Sequence, residues 1–182
     1  SPKKEKVRVI PLEYIDEFPG HPFKVLDDES MQKLMNSIEE IGVQSPIVAR
    51  IKEDQRYEII SGHRRVHACR RLGLKLIPAI VRDLSRDEAI IAMVDANLQR
   101  EHILPSEKAA AYKMKMEAMK RKAGRPSNNL SPVATNKMPV DTAAEIGSVT
   151  GESRDQIFRY VRLTELVPEL LEMVDRESIA FR

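Results

Sequence analysis

Residues 57–73 read Tyr57-Glu58-Ile59-Ile60-Ser61-Gly62-His63-Arg64-Arg65-Val66-His67-Ala68-Cys69-Arg70-Arg71-Leu72-Gly73. Tyr57, Ile59 and Ile60 are aromatic or β-branched in the manner of a strand. From Gly62 the apolar positions Val66, Cys69 and Leu72 recur at helical spacing until Gly73 ends the run. The chain therefore turns from strand to helix at Ser61-Gly62-His63, where unsatisfied N–H groups and the positive helix end face outward. Gly62 lets the backbone approach a bulky anion, Arg64 and Arg65 bring two guanidinium forks, and no acid competes between residues 62 and 75. Such a turn suits a phosphate group, and a solvated basic helix is the plainer alternative. His63 is read as a surface or phosphate contact in preference to a metal ligand. Cys69, on the apolar side of the same helix, reads as a small buried hydrophobe.

Working outward, Pro46-Ile47-Val48-Ala49-Arg50-Ile51 is a second strand, and the polar turn Lys52-Glu53-Asp54-Gln55 makes the two a hairpin. Further upstream, Asp27-Asp28-Glu29-Ser30 puts acids where a helix begins. Met31, Leu34, Met35, Ile38 and Ile41 then repeat at helical spacing as far as Gly42. Residues 7–10 and 76–81 read as strands, and Ser85-Arg86-Asp87-Glu88 is a capping box opening a helix through Val94. This alternation predicts a small α/β domain over residues 1–104.

Pro105 starts a different region, all helical, over residues 105–182. Ala109, Tyr112, Met116 and Met119 share one face of its first helix, which dissolves into Lys120-Arg121-Lys122-Ala123-Gly124-Arg125-Pro126. Together with Lys113 and Lys115 this basic stretch reads as a solvated linker before it reads as a minor-groove arm. Residues 123–140, rich in Asn, Ser, Pro and Thr, read as a loop. Residues 141–163 then follow helix-turn-helix grammar: a short helix to Val149, the turn Thr150-Gly151-Glu152, and Ser153-Arg154-Asp155-Gln156 capping a second helix. Ile157, Val161 and Phe158 would hold that helix down, while Ser153, Arg154, Gln156, Arg159, Tyr160 and Arg162 offer groups to bases and phosphates. An ordinary helical hairpin is the alternative.

Composition narrows the function classes. A net charge of +2 means that any nucleic-acid contact comes from local patches, and the absence of Trp, with aromatics at 4%, argues against base-stacking platforms. One cysteine makes neither an internal disulfide nor a cysteine-based zinc site, and no apolar run approaches a membrane span, so a cytoplasmic protein without a membrane partner is expected. The start, Ser1-Pro2-Lys3-Lys4-Glu5-Lys6, lacks a signal peptide's apolar core, and the apolar end around Phe181 suggests a piece of a longer protein.

The order of these motifs resembles the ParB family of plasmid and chromosome partition proteins over nearly the whole chain. The family's early motif is similar to Ser37-Ile38-Glu39-Glu40-Ile41-Gly42-Val43-Gln44-Ser45-Pro46-Ile47 and its arginine box to Gly62-His63-Arg64-Arg65. Its third box is similar to Asn97-Leu98-Gln99-Arg100-Glu101 followed by Leu104-Pro105-Ser106-Glu107. The resemblance implies an α+β fold, in which a ParB- and sulfiredoxin-like α/β domain precedes an all-α helix-turn-helix domain. It also implies a nucleotide-gated DNA clamp: the expected DNA target is a palindromic double-stranded site, the expected cofactors are CTP and Mg²⁺, and the expected partners are a ParA-type ATPase and a second copy of the chain. Gln44 would approach the base, Ser61, Gly62, His63, Arg64 and Arg65 the phosphates, and Asn97 and Arg100 would close over the ligand, with Asn97 the residual Mg²⁺ contact. Two departures stand out: the family's arginine box usually has an acid where His63 stands, and its third box has one where Ala96 precedes Asn97. Losing both should weaken Mg²⁺ binding and CTP hydrolysis more than CTP binding. These variants look most like ParB-like proteins of mobile elements. Rival readings are a DNA-binding transcriptional regulator or adaptor with a vestigial nucleotide site, and a ParB-like nuclease, for which no convincing carboxylate set is found. Sulfiredoxin is similar only in part, since its box carries a cysteine between the glycine and His-Arg.

Overall fold

The structure, a computed structural model, describes residues 5–100, 102–124 and 141–180. The chain divides into two compact units, Ser1–Ala96 and Asn97–Arg182, whereas the sequence reading drew the division at 104.

The first unit runs β1 (Val7–Pro11), a 3-10 turn (Leu12–Tyr14), β2 (Ile15–Asp16), α1 (Glu29–Ile41), β3 (Ile47–Ile51), β4 (Tyr57–Ser61), α2 (His63–Arg71), β5 (Leu76–Arg82) and α3 (Arg86–Asn97). Its sheet has the order β1-β5-β3-β4-β2. β3 and β4 form the antiparallel hairpin the sequence implied, and β5 returns parallel to β3 after α2. β2, only two residues long, pairs parallel with β4, and no sequence period could have marked it.

Local chemistry sets these boundaries. The Asp28 side chain accepts from the Met31 N–H at 2.9 Å and caps α1, which Gly42 ends at φ 74°. Ser85 and Glu88 exchange hydrogen bonds of 3.0 and 3.3 Å, a complete capping box at the head of α3. α3 continues three residues past Val94 because Asp95 and Ala96 supply no breaker. Met31, Met35 and Ile38 of α1 and Val66, Ala68 and Cys69 of α2 pack with Ile47, Ile59 and Ile77 of the sheet into one core. Each large aliphatic buried there contributes about 1.5–3 kcal/mol. Inside the hairpin, Arg50 Nε donates to Glu58 Oε2 at 2.6 Å, with the Glu58 side chain 2% exposed.

The second unit holds α4 (Pro105–Gly124), α5 (Thr142–Thr150), α6 (Arg154–Leu163) and α7 (Pro168–Asp175). α4 opens on Pro105, with Glu107 accepting from the Leu104 N–H at 3.0 Å. Asp175 at the end of α7 accepts from both the N–H and the hydroxyl of Ser106, which ties the two helices together. α7 was not read from the sequence. Two other expectations change. Lys115 is buried on α4, so this part of the basic stretch packs as a helix face and is not a solvated linker. Ala123 and Gly124 close α4 and do not begin a loop, while the rest of the expected loop, with Arg125 and Pro126, lies outside the described residues.

Candidate functional site

The strand-to-helix turn lies in the first unit. Gly62 caps α2 at φ 101°, and a Cβ there would come within 2.7 Å of Ile47 Cγ2. Both the left-handed backbone and the contact with β3 demand glycine. Ser61 ends β4, half-buried, opposite Val48.

Neither arginine of the turn reaches out alone. Arg64 donates to the Ser30 hydroxyl at the start of α1. Arg65 donates to the carbonyls of Ser45 and, at 2.7 Å, Pro46. Burial pulls the Arg65 guanidinium pKa down, while its hydrogen bonds to the two carbonyls hold the segment after Gln44 against α2. Gln44 itself is exposed and folds its amide back onto the Ile41 carbonyl, closing the end of α1.

His63 is only 7% exposed, so it is not the surface residue the sequence suggested. Its ring lies on that of His21, centroids 3.7 Å apart. A cavity of about 320 Å³ opens beside this stack, lined by Glu17, His21, Phe23, Ile59, His63 and His67, among others. A volume of this order is within the range of small-ligand pockets, roughly 300–1,000 Å³. His67 sits one turn beyond His63, a neighbour that the sequence reading passed over although i,i+4 spacing announces it. His21 carries no local signal, because only the fold brings it to α2. His67 Nε2 lies 2.8 Å from Asp27 Oδ1, and Arg71 donates to the same oxygen at 2.8 Å. His67 and then Arg71 hold the Asp27 carboxyl below its ordinary range.

The residues do not fit a Mg²⁺ site. Mg²⁺ prefers oxygen ligands, and an imidazole occupies position 63 while Ala96 precedes Asn97. Among the described residues no three His, Cys, Asp or Glu side chains gather where they could hold a metal ion. Asn97, buried, ends α3 and opens the second unit, and the Arg100 N–H donates to its carbonyl at 3.2 Å. Cys69 is fully buried and burial pushes its thiol up, which opposes thiolate chemistry.

In the second unit α5 and α6 meet through a tight turn. Gly147 is seated so closely that a Cβ would lie 2.3 Å from the Glu152 carbonyl oxygen. Gly151 takes φ 77° and the Ser153 hydroxyl accepts from the Gln156 N–H, capping α6. Lys108 of α4 reaches Glu152 at 2.8 Å and lies over the Tyr160 ring, 5.2 Å from its centroid. Ile157 and Leu163 are buried, while Ser153, Arg154, Gln156, Arg159 and Arg162 are exposed along α6. Arg154 is engaged by Asp141 at 2.6 Å and by the Phe158 ring. Phe158 is exposed and does not anchor the helix, whereas Tyr160 turns inward, edge-on to Tyr112 of α4.

The family model for the ParB N-terminal domain matches residues 1–98, more than half of the chain. This chain belongs to the ParB family. It is 32% identical over 170 residues to the chromosome-partitioning protein Spo0J of Thermus thermophilus, covering 93% of this chain and 55% of that protein. It is 34% identical over 163 residues to a probable chromosome-partitioning protein ParB of Mycobacterium leprae, covering 87% and 43%. The chain thus spans about half the length of the curated ParB relatives it matches. Among solved structures, C-terminally truncated ParB of Caulobacter crescentus, complexed to the centromeric parS site, matches with a TM-score of 0.59 at 26% identity, covering 95% of this chain and 80% of that one. A Pnob8-like ParB N-domain at 16% identity and TM-score 0.60, covering 97% and 76%, shares the mixed α+β fold. Among the described residues no helix is long and apolar enough to cross a membrane.

Proposed function

We propose that this chain binds a palindromic double-stranded DNA site through a helix-turn-helix formed by α5 and α6, and CTP through the turn at Gly62, as part of a partition protein. The observation that carries the DNA reading is the exposure of Gln156, Arg159 and Arg162 along α6, after a turn kept tight by the close seat of Gly147 against Glu152. Ser153 and Arg154 at its head serve the phosphate backbone, and the side chains further along reach base edges. Tyr160 acts from beneath, by fixing α6 against α4.

The CTP reading rests on the resemblance and on the strand-to-helix turn at Gly62, after which α2 opens on His63 in the wall of the cavity. Gln44, Ser61, Gly62, His63, Arg64 and Arg65 of the first unit are the residues assigned to it, and no step is assigned to Mg²⁺. A second copy of the chain and a ParA-type ATPase are the partners proposed with it. A specific observation favours a rival reading: Arg64 and Arg65 are engaged by Ser30, Ser45 and Pro46, as expected of an adaptor that has lost its nucleotide.

Fluorescence anisotropy with a parS duplex and a scrambled duplex, across a salt series with and without CTP, tests the proposal. Preference for parS, with affinity falling steeply in salt, is the expected result. Equal affinity for both duplexes would remove site-specific recognition of parS, and a preference unaffected by CTP would favour the adaptor.

A further inference from the structure

We propose that Phe158 reads a thymine in the DNA half-site, its exposed ring packing on the C5-methyl group at the major-groove edge of the base. The proposal rests on the helix-turn-helix reading above and deepens it, by naming a base that the site must contain. Phe158 is 38% exposed, whereas the other phenylalanines among the described residues, Phe18 and Phe23, are each 2% exposed. A phenyl ring left in water is thus a departure within this chain. Packing does not call for it: Ile157 and Leu163 fill the core side of α6, with Tyr160 and Val161 half-buried beside them.

What surrounds the ring points to DNA. At helical spacing Phe158 shares a face of α6 with Asp155, three residues earlier, and Arg162, four residues later, and Arg159 adjoins them; all three are exposed. One phenyl group among charged neighbours offers far less apolar area than a protein interface needs, but enough to cover a single methyl group. In the major groove thymine is the base that carries one, and the arginines on either side suit guanine edges or phosphates. The ring is also braced. Arg154, one turn earlier, donates to Asp141 Oδ2 at 2.6 Å, and its guanidinium lies over the Phe158 ring, 5.1 Å from the centroid. Asp141 is the N-cap of α5, so the first helix of the motif steadies a side chain of the second. A ring held in place before binding has little rotamer freedom left to lose. Covering one methyl carbon from water is then worth about fourfold in affinity.

Selection by the intact chain from a pool of random duplexes supplies a preferred site, and each thymine of that site is then replaced in turn by uracil, which lacks only the methyl group. For the unaltered protein the expected result is one thymine in each half-site at which uracil weakens binding by about fourfold. Phe158→Ala should bind the thymine and uracil versions alike. The same loss of response is expected of Phe158→Gln, which keeps the reach of the side chain and removes its apolar surface. Thermal midpoints are measured alongside, and the uracil series on the unaltered protein is independent of how either variant folds. A selected site in which no thymine responds to uracil, or a response that survives in Phe158→Ala, overturns the proposal and leaves the helix-turn-helix reading standing. A selection that returns no preferred duplex overturns both.

Discussion

A single glycine shows how tightly the ligand turn is specified. Gly62 needs its left-handed backbone and also the missing Cβ, since Ile47 fills the space. Gly62→Ala should therefore destabilise the protein by about 1–3 kcal/mol, measured by urea denaturation, because strain and overpacking act together. An unchanged midpoint would mean that β3 yields more easily than its core position suggests. At this scale the sequence was legible where a residue's role is local: Gly62 at the turn, Asp28 and Ser153 at caps, and Cys69 in the core all follow from neighbours a few positions away. It was opaque where the partner is distant. His63 finds His21 forty-two residues upstream, and Tyr160 finds Tyr112, so neither burial could be read from local spacing.

Elements carry the next set of consequences. β2 is too short to hold by backbone pairing alone, and Asp16 secures it: Arg56 donates to its carboxylate at 2.6 Å and Lys52 lies 2.7 Å from it. Arg56 first, then Lys52, holds the Asp16 carboxyl far below its ordinary range. The folded-state pKa is depressed, so the contribution is complete above the unfolded value, about 3.9, and is lost as pH falls below it. Asp16→Asn should lower the melting temperature at pH 7 but lose less than wild type between pH 5 and pH 3, as followed by circular dichroism. A parallel loss in both proteins would place the acid sensitivity elsewhere. For α6, Arg159→Ala should reduce the preference for specific over random DNA by about 1–3 kcal/mol if Arg159 reads a base, and equal losses would make it a phosphate contact. The strongly periodic, well-capped helices α1 and α6 were readable in advance. β2 and α7 were not: one has two residues, and the other was hidden in a short apolar run after Leu166.

For the molecule as a whole, two units with separate apolar clusters, one around Met31 and Ile47 and one around Leu163 and Val174, should not melt as a single cooperative block. Scanning calorimetry is expected to resolve two transitions. CTP at about 100 times its dissociation constant should stabilise the first unit by about 2.7 kcal/mol. A single transition with equal calorimetric and van 't Hoff enthalpies would show that the units unfold together. The mixed architecture was legible from the alternation of strand and helix patterns, but the strand order was not, since it depends on pairings between distant segments. The pairing of Arg50 with Glu58 carries a consequence on the timescale of lineages. The two residues face each other directly across the hairpin at the middle of the sheet. Replacing either alone would strand the other's buried charge, at a cost of about 3–5 kcal/mol, whereas an apolar pair of similar size can be nearly neutral. Descendants of this chain should therefore keep both residues or exchange both, with the single-step intermediates rarely surviving.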